Sequence, residues 1–397
     1  MRITHVQSSF VAPLGGAESY VLALASEQAR RGDEVEILTA WTDPDTVERA
    51  RRAGVAVRVR ATYRPYRPDQ HGAGTAAKVA FHALDVLGTL GPATWMPKEA
   101  RSDAVVHVHR FQGVGAQVLR ARHGAVVHTA HDYCLVDTTS TSIRDGHEPA
   151  RLGGVQRLRA RAIWLAARRS SILVFPSERA LARHHALGMP AEGVEQRVVP
   201  HGWPAPAVSP ARVGNEGRTR PRFVFLGKLQ ATKGIDLLLR AWERADIDAE
   251  LVVAGDGPER PTIERAAATG RITYVGWVDA QQKADLIASA TALVFPSLWP
   301  ETFGLVIAES LLMRCPVIAT PQAAGAFVRD GENGLVTTDA TPGSLARALR
   351  CLAHDATLRE GLARGAAASA AALDFGRHVD RVQAVYADAR GIFARAR

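Results

Sequence analysis

Ala292-Leu-Val-Phe-Pro-Ser-Leu-Trp-Pro-Glu-Thr-Phe-Gly-Leu-Val-Ile-Ala-Glu309 joins an apolar, strand-like run to a stretch holding two carboxylates, Glu301 and Glu309, eight positions apart. Reading Pro300 and Thr302 as a helix start, from their stop and N-cap preferences, puts Glu301 at the helix mouth and Glu309 about two turns inside. At ~1.5 Å rise per residue the two lie about 12 Å apart. That spacing matches the reach from a sugar across a diphosphate to a ribose. Between them, unpaired N–H groups and the positive end of the helix dipole suit phosphate.

Outward from this segment, short β-branched runs alternate with Ala/Leu-rich stretches of helical length, the pattern of parallel βαβ units. The first half predicts strands at Ile3–Ser8, Glu34–Thr39, Val55–Arg60, Ala104–His109, Ala125–Thr129, Ile172–Phe175 and Arg197–Val199. The second half predicts Arg222–Leu226, Ala249–Ala254, Ile272–Val275, Ala292–Phe295, Val317–Ala319 and Gly334–Thr337. Pro- and Gly-rich residues 203–221 lack periodicity and read as a linker, which gives domains at 1–202 and 222–375 and a closing helix at 376–397. Leu173-Val-Phe-Pro-Ser177 recurs as Leu293-Val-Phe-Pro-Ser297, a weak repeat consistent with two similar halves or with one shared way of ending a strand.

A chain of 397 residues, 47% hydrophobic and 22% charged, has the composition of a globular protein large enough for two cores. Its apolar runs fall short of the ~20 residues needed to span a bilayer. Met1-Arg-Ile-Thr-His-Val-Gln-Ser-Ser9 reads as a first strand, not a signal peptide. Cys134, Cys315 and Cys351 show neither paired nor zinc spacing, so a reduced, cytoplasmic protein is expected. The net charge of +9 is mostly arginine, concentrated in Arg151, Arg157, Arg159, Arg161, Arg168 and Arg169. A helix here, with Val155, Leu158, Ala162, Leu165 and Ala166 packed inward, presents a basic outer face to an anionic membrane or a phosphorylated acceptor. Nucleic acid is not expected, because no recognition motif accompanies the charge.

Candidate site residues fall at strand ends. Gly15 and Gly16, ahead of a helix predicted at Ser19–Arg31, permit close backbone approach to a ligand or simply a tight turn. Gly227 and Lys228, with Lys233 before the next helix, bring two cations to where a diphosphate gathers charge. Gly255-Asp-Gly-Pro-Glu259 reads either as part of a nucleotide pocket or as a structural turn with Pro258 first in the helix. Val275-Gly-Trp-Val278 can line a base site, or its Trp277 ring can pack in the core. His131, in His128-Thr-Ala-His-Asp132, stands where an imidazole can donate to a sugar hydroxyl. His128, His131 and Asp132 lack the spacing or third ligand of a zinc site, so no metal is expected.

Taken together, these motifs resemble the retaining glycosyltransferases of family 4. They comprise Gly15-Gly-Ala-Glu18, His131-Asp132, Phe175-Pro-Ser177, Val199-Pro-His-Gly202, Gly227-Lys228 with Lys233-Gly234, Gly255-Asp-Gly-Pro-Glu259, and Glu301 to Glu309. The resemblance implies an α/β fold of two facing Rossmann-like domains, the glycosyltransferase B fold, with a cleft between them and a last helix crossing back. It implies that Glu301 contacts donor-sugar hydroxyls and Glu309 the ribose. Phe303, Gly304 and Leu305 would offer backbone amides, Lys228 and Lys233 would neutralise the diphosphate, Gly16 would approach it, and His131 would sit beside the sugar. The implied reaction is front-side and retaining, without metal or other cofactor. The donor would be a UDP- or GDP-linked hexose or amino-hexose and the acceptor a hydroxyl of a secondary metabolite, a cyclitol or an envelope glycan or lipid. Three departures stand out: Lys228 in place of the family's arginine, His201 in place of asparagine, and Gln322 to Ala326 without the usual loop glutamate. A nucleotide-sugar epimerase, a phosphorylase and an inactive nucleotide-sugar-binding partner are the rival readings.

Overall fold

The computed structural model describes residues 1–67, 73–88, 104–120, 124–143, 148–205, 220–325 and 327–395. The chain divides into two compact units, one holding Met1–Ser142, Pro149–Pro200 and Gly376–Arg397, the other Ile143–Glu148 and His201–Phe375. Most of the linker expected at 203–221 lies outside the described residues.

Strands of the first unit are β1 Arg2–Gln7, β2 Ser9–Phe10, β3 Glu34–Thr39, β4 Trp41–Thr42, β5 Ala56–Val59, β6 Ala104–Arg110, β7 Ala125–Thr129, β8 Ile172–Phe175 and β9 Glu195–Val198. Its helices are α1 Gly16–Arg30, α2 Pro44–Arg52, α3 Thr75–Leu87, α4 Gly154–Ala167 and α5 Glu178–Ala186. The main sheet runs β5-β3-β1-β6-β7-β8-β9, while β2 and β4, too short to be anticipated from the sequence, pair separately. The second unit contains β10 Arg222–Leu226, α6 Ile235–Ala245, β11 Glu250–Ala254, α7 Arg260–Ala267, β12 Thr273–Gly276, α8 Ala280–Ala288, β13 Ala292–Phe295, α9 Leu305–Leu312, β14 Val317–Ala319, β15 Gly334–Val336, α10 Pro342–His354 and α11 Ala356–Ser369. Its sheet runs β12-β11-β10-β13-β14-β15.

Both sheets are parallel and doubly wound, so each has a point where the strand order reverses, beside β1 and β6 in one and beside β10 and β13 in the other. Ligands of such sheets collect outside the strand C-termini at that point. Inner strands such as β8, β13 and β14 are continuous apolar runs because both faces are covered, whereas the edge strands β5, β9 and β12 are exposed or half-buried. In β10, Phe223 and Phe225 join one core cluster while Val224 and Leu226 join another.

Helix α12, Phe375–Arg395, belongs almost wholly to the first unit. Its Val379, Val382, Val385 and Tyr386 are buried at helical spacing. Full burial of each valine contributes on the order of 1.5–3 kcal/mol. Tyr20 on α1 bonds His378 at 2.8 Å, and Arg31 pairs with Asp380 at 2.5 Å.

The pentapeptide repeat is not a structural correspondence. Its copies end β8 and β13, and β8 lies three places from β1 in its sheet, whereas β13 lies directly beside β10. What the copies share is a buried strand stopped by proline.

Candidate active site

In the second unit the loops after β10 and β13 are stitched together. Leu298 N–H donates to Thr232 O at 2.8 Å, and a β-carbon on Gly234, which is left-handed at φ 75°, would come within 2.0 Å of Pro296 O. Only glycine allows this approach. It brings Lys233 to Glu301: the ammonium ion-pairs with Oε1, which also accepts from the Trp299 indole N–H. The Lys233 nitrogen lies 4.9 Å from the Trp299 ring centre and 5.4 Å from that of Phe295, within cation–π range. Glu301 is 4% exposed, and its backbone N–H donates to Gln322 O at 3.2 Å. The loop lacking the usual glutamate thus contributes through its backbone.

The helix after Glu301 starts later than its sequence suggests. Thr302 is not its cap. Gly304, left-handed at φ 82°, precedes the first helical residue, Leu305, and a residue in that conformation cannot continue a helix backwards. Gly304 O accepts from Ile307 and Ala308, so the Leu305 and Val306 amides lie ahead of the first intrahelical bond at the positive end of the dipole. The Phe303 ring packs against His201 and Phe327 in the core. Glu309 sits about one turn inside α9, 7% exposed, and pairs with Lys283 from α8. Burial pushes its carboxyl above the ordinary value, against the pull of Lys283. Its second oxygen, Oε2, is buried, and a hydrogen bond from the Trp203 side chain favours the carboxylate alongside Lys283.

The glycine turn at 255 packs closely on the loop that follows β10. Gly227 N–H donates to Ala254 O and Leu229 N–H to Asp256 O, and a β-carbon on Gly255 would meet Gly227 O at 1.8 Å. Pro261, not Pro258, is the proline in the first turn of α7, whose N-cap is Glu259. Lys228 is exposed beyond β10. Trp277 is 56% exposed rather than packed in the core, while Val278 packs against the cluster that contains Leu226 and Phe303.

In the first unit, Gly15 caps α1 and Gly16 is its first residue, three positions earlier than expected, with Glu18 in the first turn favouring the dipole. Both glycines are exposed, and Glu18 accepts from Gln7 at 2.9 Å. Half-buried His131 follows β7, and its Nε2 bonds His109 Nδ1 at 2.9 Å. Burial lowers its pKa to about 3, so the ring is neutral near pH 7.

Residues 14–205 match the model described as Glycosyltransferase Family 4, and residues 220–355 match that described as Glycosyl transferases group 1. A D-inositol 3-phosphate glycosyltransferase of Streptosporangium roseum is 31% identical, covering 94% of this chain and 88% of its own. The chain belongs to glycosyltransferase family 4. An alpha-D-kanosaminyltransferase of Streptomyces kanamyceticus is 32% identical over 156 residues, 37% of this chain and 40% of that one. In fold, this family member is similar to sucrose-phosphate synthase from Thermosynechococcus elongatus, with a TM-score of 0.71, 20% identity and 99% of each chain covered. It is also similar to Anabaena HepE in complex with UDP-glucose, with a TM-score of 0.71, 18% identity and 98% and 99% covered. These likenesses agree with a glycosyltransferase B fold of two Rossmann-like domains.

Within this family member, helix α4 turns a different face inward from the one expected, although Ala166 is buried as expected. Arg159 is buried, its Nη1 donating to Cys134 O at 3.0 Å, alongside Ile163, Ala166 and Ala167. Val155, Leu158 and Leu165 are 85, 70 and 56% exposed. The helix carries two apolar stripes, and periodicity cannot choose between them. The inward stripe is the one built largely of small alanines, which permits close approach. Sequence reasoning also missed Lys283 and Trp299. Their signal was faint: a lysine and an indole that acquire meaning only beside Glu309 and Glu301.

Proposed function

We propose that this family 4 member is a retaining glycosyltransferase that needs no metal or other cofactor. It moves a hexose or amino-hexose from a UDP- or GDP-linked donor to a hydroxyl acceptor, which is a secondary metabolite, a cyclitol or an envelope glycan or lipid. The observation that carries this reading is the Lys233–Glu301 pair at the strand-order reversal of the second unit, ahead of the Leu305 and Val306 amides.

Each group has a role that its chemistry permits. The donor diphosphate, lying against the α9 N-terminus, draws on Lys233 and Lys228 for countercharge. As phosphate takes up the Lys233 ammonium, the Glu301 carboxylate becomes available to accept from sugar hydroxyls, so donor binding and sugar recognition are coupled. Glu309, about one turn inside α9, accepts from the ribose. The amides of Phe303, Gly304 and Leu305 and the glycines at 15 and 16 serve close phosphate and sugar approach, and His131 meets the sugar. The bond to the leaving diphosphate breaks through an oxocarbenium-like state, and the departing phosphate oxygen takes the acceptor proton on the same face. Preorganised charge supplies most of the acceleration.

One named relative acts on an inositol phosphate and another is a kanosaminyltransferase, which supports a cyclitol acceptor and an amino-hexose as the transferred sugar. Screening UDP- and GDP-sugars by thermal shift identifies the donor, since a ligand bound to the folded state raises its melting temperature. Anomeric analysis of the product then tests the mechanism. An inverted product, donor epimerisation without acceptor, or a requirement for inorganic phosphate would each remove this reading.

A membrane-associated acceptor is favoured by the outer face of α4. There Val155, Leu158 and Leu165 stand beside exposed Arg157, Arg161 and Arg168, a combination suited to an anionic bilayer surface. Among the described residues no helix is long and apolar enough to cross a membrane.

A further inference from the structure

The sheet of the first unit has its own strand-order reversal, between β1 and β6, and polar side chains gather at the carboxyl ends of the strands there. Gln7 ends β1 and stands in register beside Arg110, which ends β6. Gln7 Nε2 donates to Glu18 Oε1 on α1 at 2.9 Å. Asp132, just past β7, accepts from the Cys134 N–H at 2.8 Å. A β-carbon on Gly15 would lie 2.7 Å from Glu18 Oε2, so the bare glycine leaves that oxygen uncovered on this side.

Around Arg110, buried polar atoms lack hydrogen-bond partners among the described residues. They include its own Nε, Gln7 Oε1 and Ser8 Oγ, the last two on residues that are 0% exposed. Asp85 Oδ2 and Arg159 Nε and Nη2 are in the same state, although the other Asp85 oxygen accepts from Arg64 and from the Gly113 N–H, each at 3.0 Å. Buried polar groups are almost always paired. A set of them left open where doubly wound sheets take ligands points to a molecule that completes them.

Two properties of the set identify that molecule. Open donors on Arg110 and Arg159 are mixed with open acceptors on Gln7 and Asp85. A phosphate or carboxylate only accepts and would leave the acceptors unpaired, whereas a hydroxyl both donates and accepts. Charge agrees. Arg64 is matched by Asp85, while Arg110 and Arg159 are faced by Asp132, Glu18 and Asp137. Carboxylates therefore outnumber guanidiniums by one, and no cation is left over for an anion. Burial works against the Arg110 charge, and the neighbouring carboxylates outweigh it, raising its pKa.

We propose that these side chains form the acceptor subsite of the first unit, in which Arg110 donates to and Glu18 and Gln7 accept from the hydroxyls of a polyol ring that carries no phosphate or carboxylate. Arg110 is the specificity-determining residue, and the Glu18 charge keeps phosphorylated rings out. Its role as the acceptor subsite rests on the proposed function; the preference for a ring without an anionic group rests on these residues alone.

Isothermal titration of the full chain with inositol and inositol 3-phosphate, and with glucosamine and glucosamine 6-phosphate, compares rings that differ only in phosphate. Each unphosphorylated ring is expected to bind about ten-fold tighter or more, because like charges oppose the other. Arg110→Met should weaken the unphosphorylated rings about ten-fold, the loss of a hydrogen bond from a charged donor. Binding of UDP or GDP, measured on the same variant, should stay within about two-fold and shows that it is folded. Glu18→Gln keeps the size of the side chain and should narrow the preference several-fold by admitting phosphate. Tighter binding of either phosphorylated ring to the wild type overturns the proposal, as does failure of both unphosphorylated rings to bind. A folded Arg110→Met protein that binds all four compounds as the wild type does also overturns it. These measurements need no turnover, so the expected order of binding without transfer from any donor removes the transferase reading and leaves the polyol site standing.

Discussion

Lys233 and Glu301, 68 residues apart in sequence, are joined as an ion pair at the strand-order reversal of the second unit, and the Trp299 indole donates to the same carboxylate oxygen. The pair is shielded, with side-chain exposures of 18% and 5%, so removing one partner strands the other. Lys233→Ala and Glu301→Ala are each expected to lower transfer by about 10²-fold or more, the range for a lost preorganised charge. Lys233→Ala should weaken nucleotide diphosphate binding more than Glu301→Ala does. Steady-state kinetics and calorimetry with the identified donor measure both effects, and unchanged turnover in either variant removes that residue from the site.

Lys283 and Glu309 form the second shielded pair. Lys283→Met leaves a buried carboxyl without its cation and should lower stability by about 1–3 kcal/mol. Adding Glu309→Gln removes the charge and should restore much of that loss, while nucleotide affinity stays low because a neutral amide accepts from the ribose more weakly than a carboxylate does. A denaturation double-mutant cycle reads the coupling. Additive effects would show that the pair is not coupled.

Two positive-φ glycines compare a clash added to backbone strain with backbone strain alone. Gly255→Ala drives a β-carbon to 1.8 Å from Gly227 O and should destabilise by roughly 3 kcal/mol. Gly270→Ala, at φ 72° with nothing within 4 Å, should cost only the left-handed penalty of about 1–2 kcal/mol. Chemical denaturation of the two variants checks the ordering.

Buried histidines make the fold acid-sensitive. Burial lowers His5, His128, His184 and His378 from 6.5 to about 4 and takes His107 and His109 further down. The unfolded chain binds these protons near pH 6.5 while the folded chain resists them. Their contribution is therefore fully present above about pH 6.5 and is lost as pH falls towards 4, at up to about 1.4 kcal/mol per pH unit for each group. Melting temperature should be flat from pH 8 to 7 and drop steeply below 6.5. A flat profile down to pH 5 would contradict this.

Cosedimentation with vesicles tests the α4 surface. Binding is expected with anionic vesicles and should fall several-fold with Arg157→Glu plus Arg161→Glu, each arginine near such a surface contributing ~1 kcal/mol. Leu158→Asp should reduce it further. Equal binding to neutral vesicles would rule out the arginines as the cause.

The sequence by itself determined the parallel α/β architecture and the order of its strands along the chain. Each buried strand is a local apolar run, and the period and the flanking breakers are visible within a few residues, as at Ala125–Thr129 and Ala292–Phe295, where the observed limits coincide with those expected. It also marked Glu301, Glu309, Lys233 and His131, because strand ends collect functional groups. Three things were decided only by tertiary structure. The start of α9 moved to Leu305 because Gly304 takes a left-handed conformation that the motif does not announce. The inward stripe of α4 was chosen by what packs against it. The partners Lys283, Trp299, His5, His109 and Tyr386 became legible only once strands and helices far apart in sequence were side by side. Local periodicity reports which face of an element is apolar, whereas the identity of a buried polar group's partner depends on contacts that no local pattern encodes.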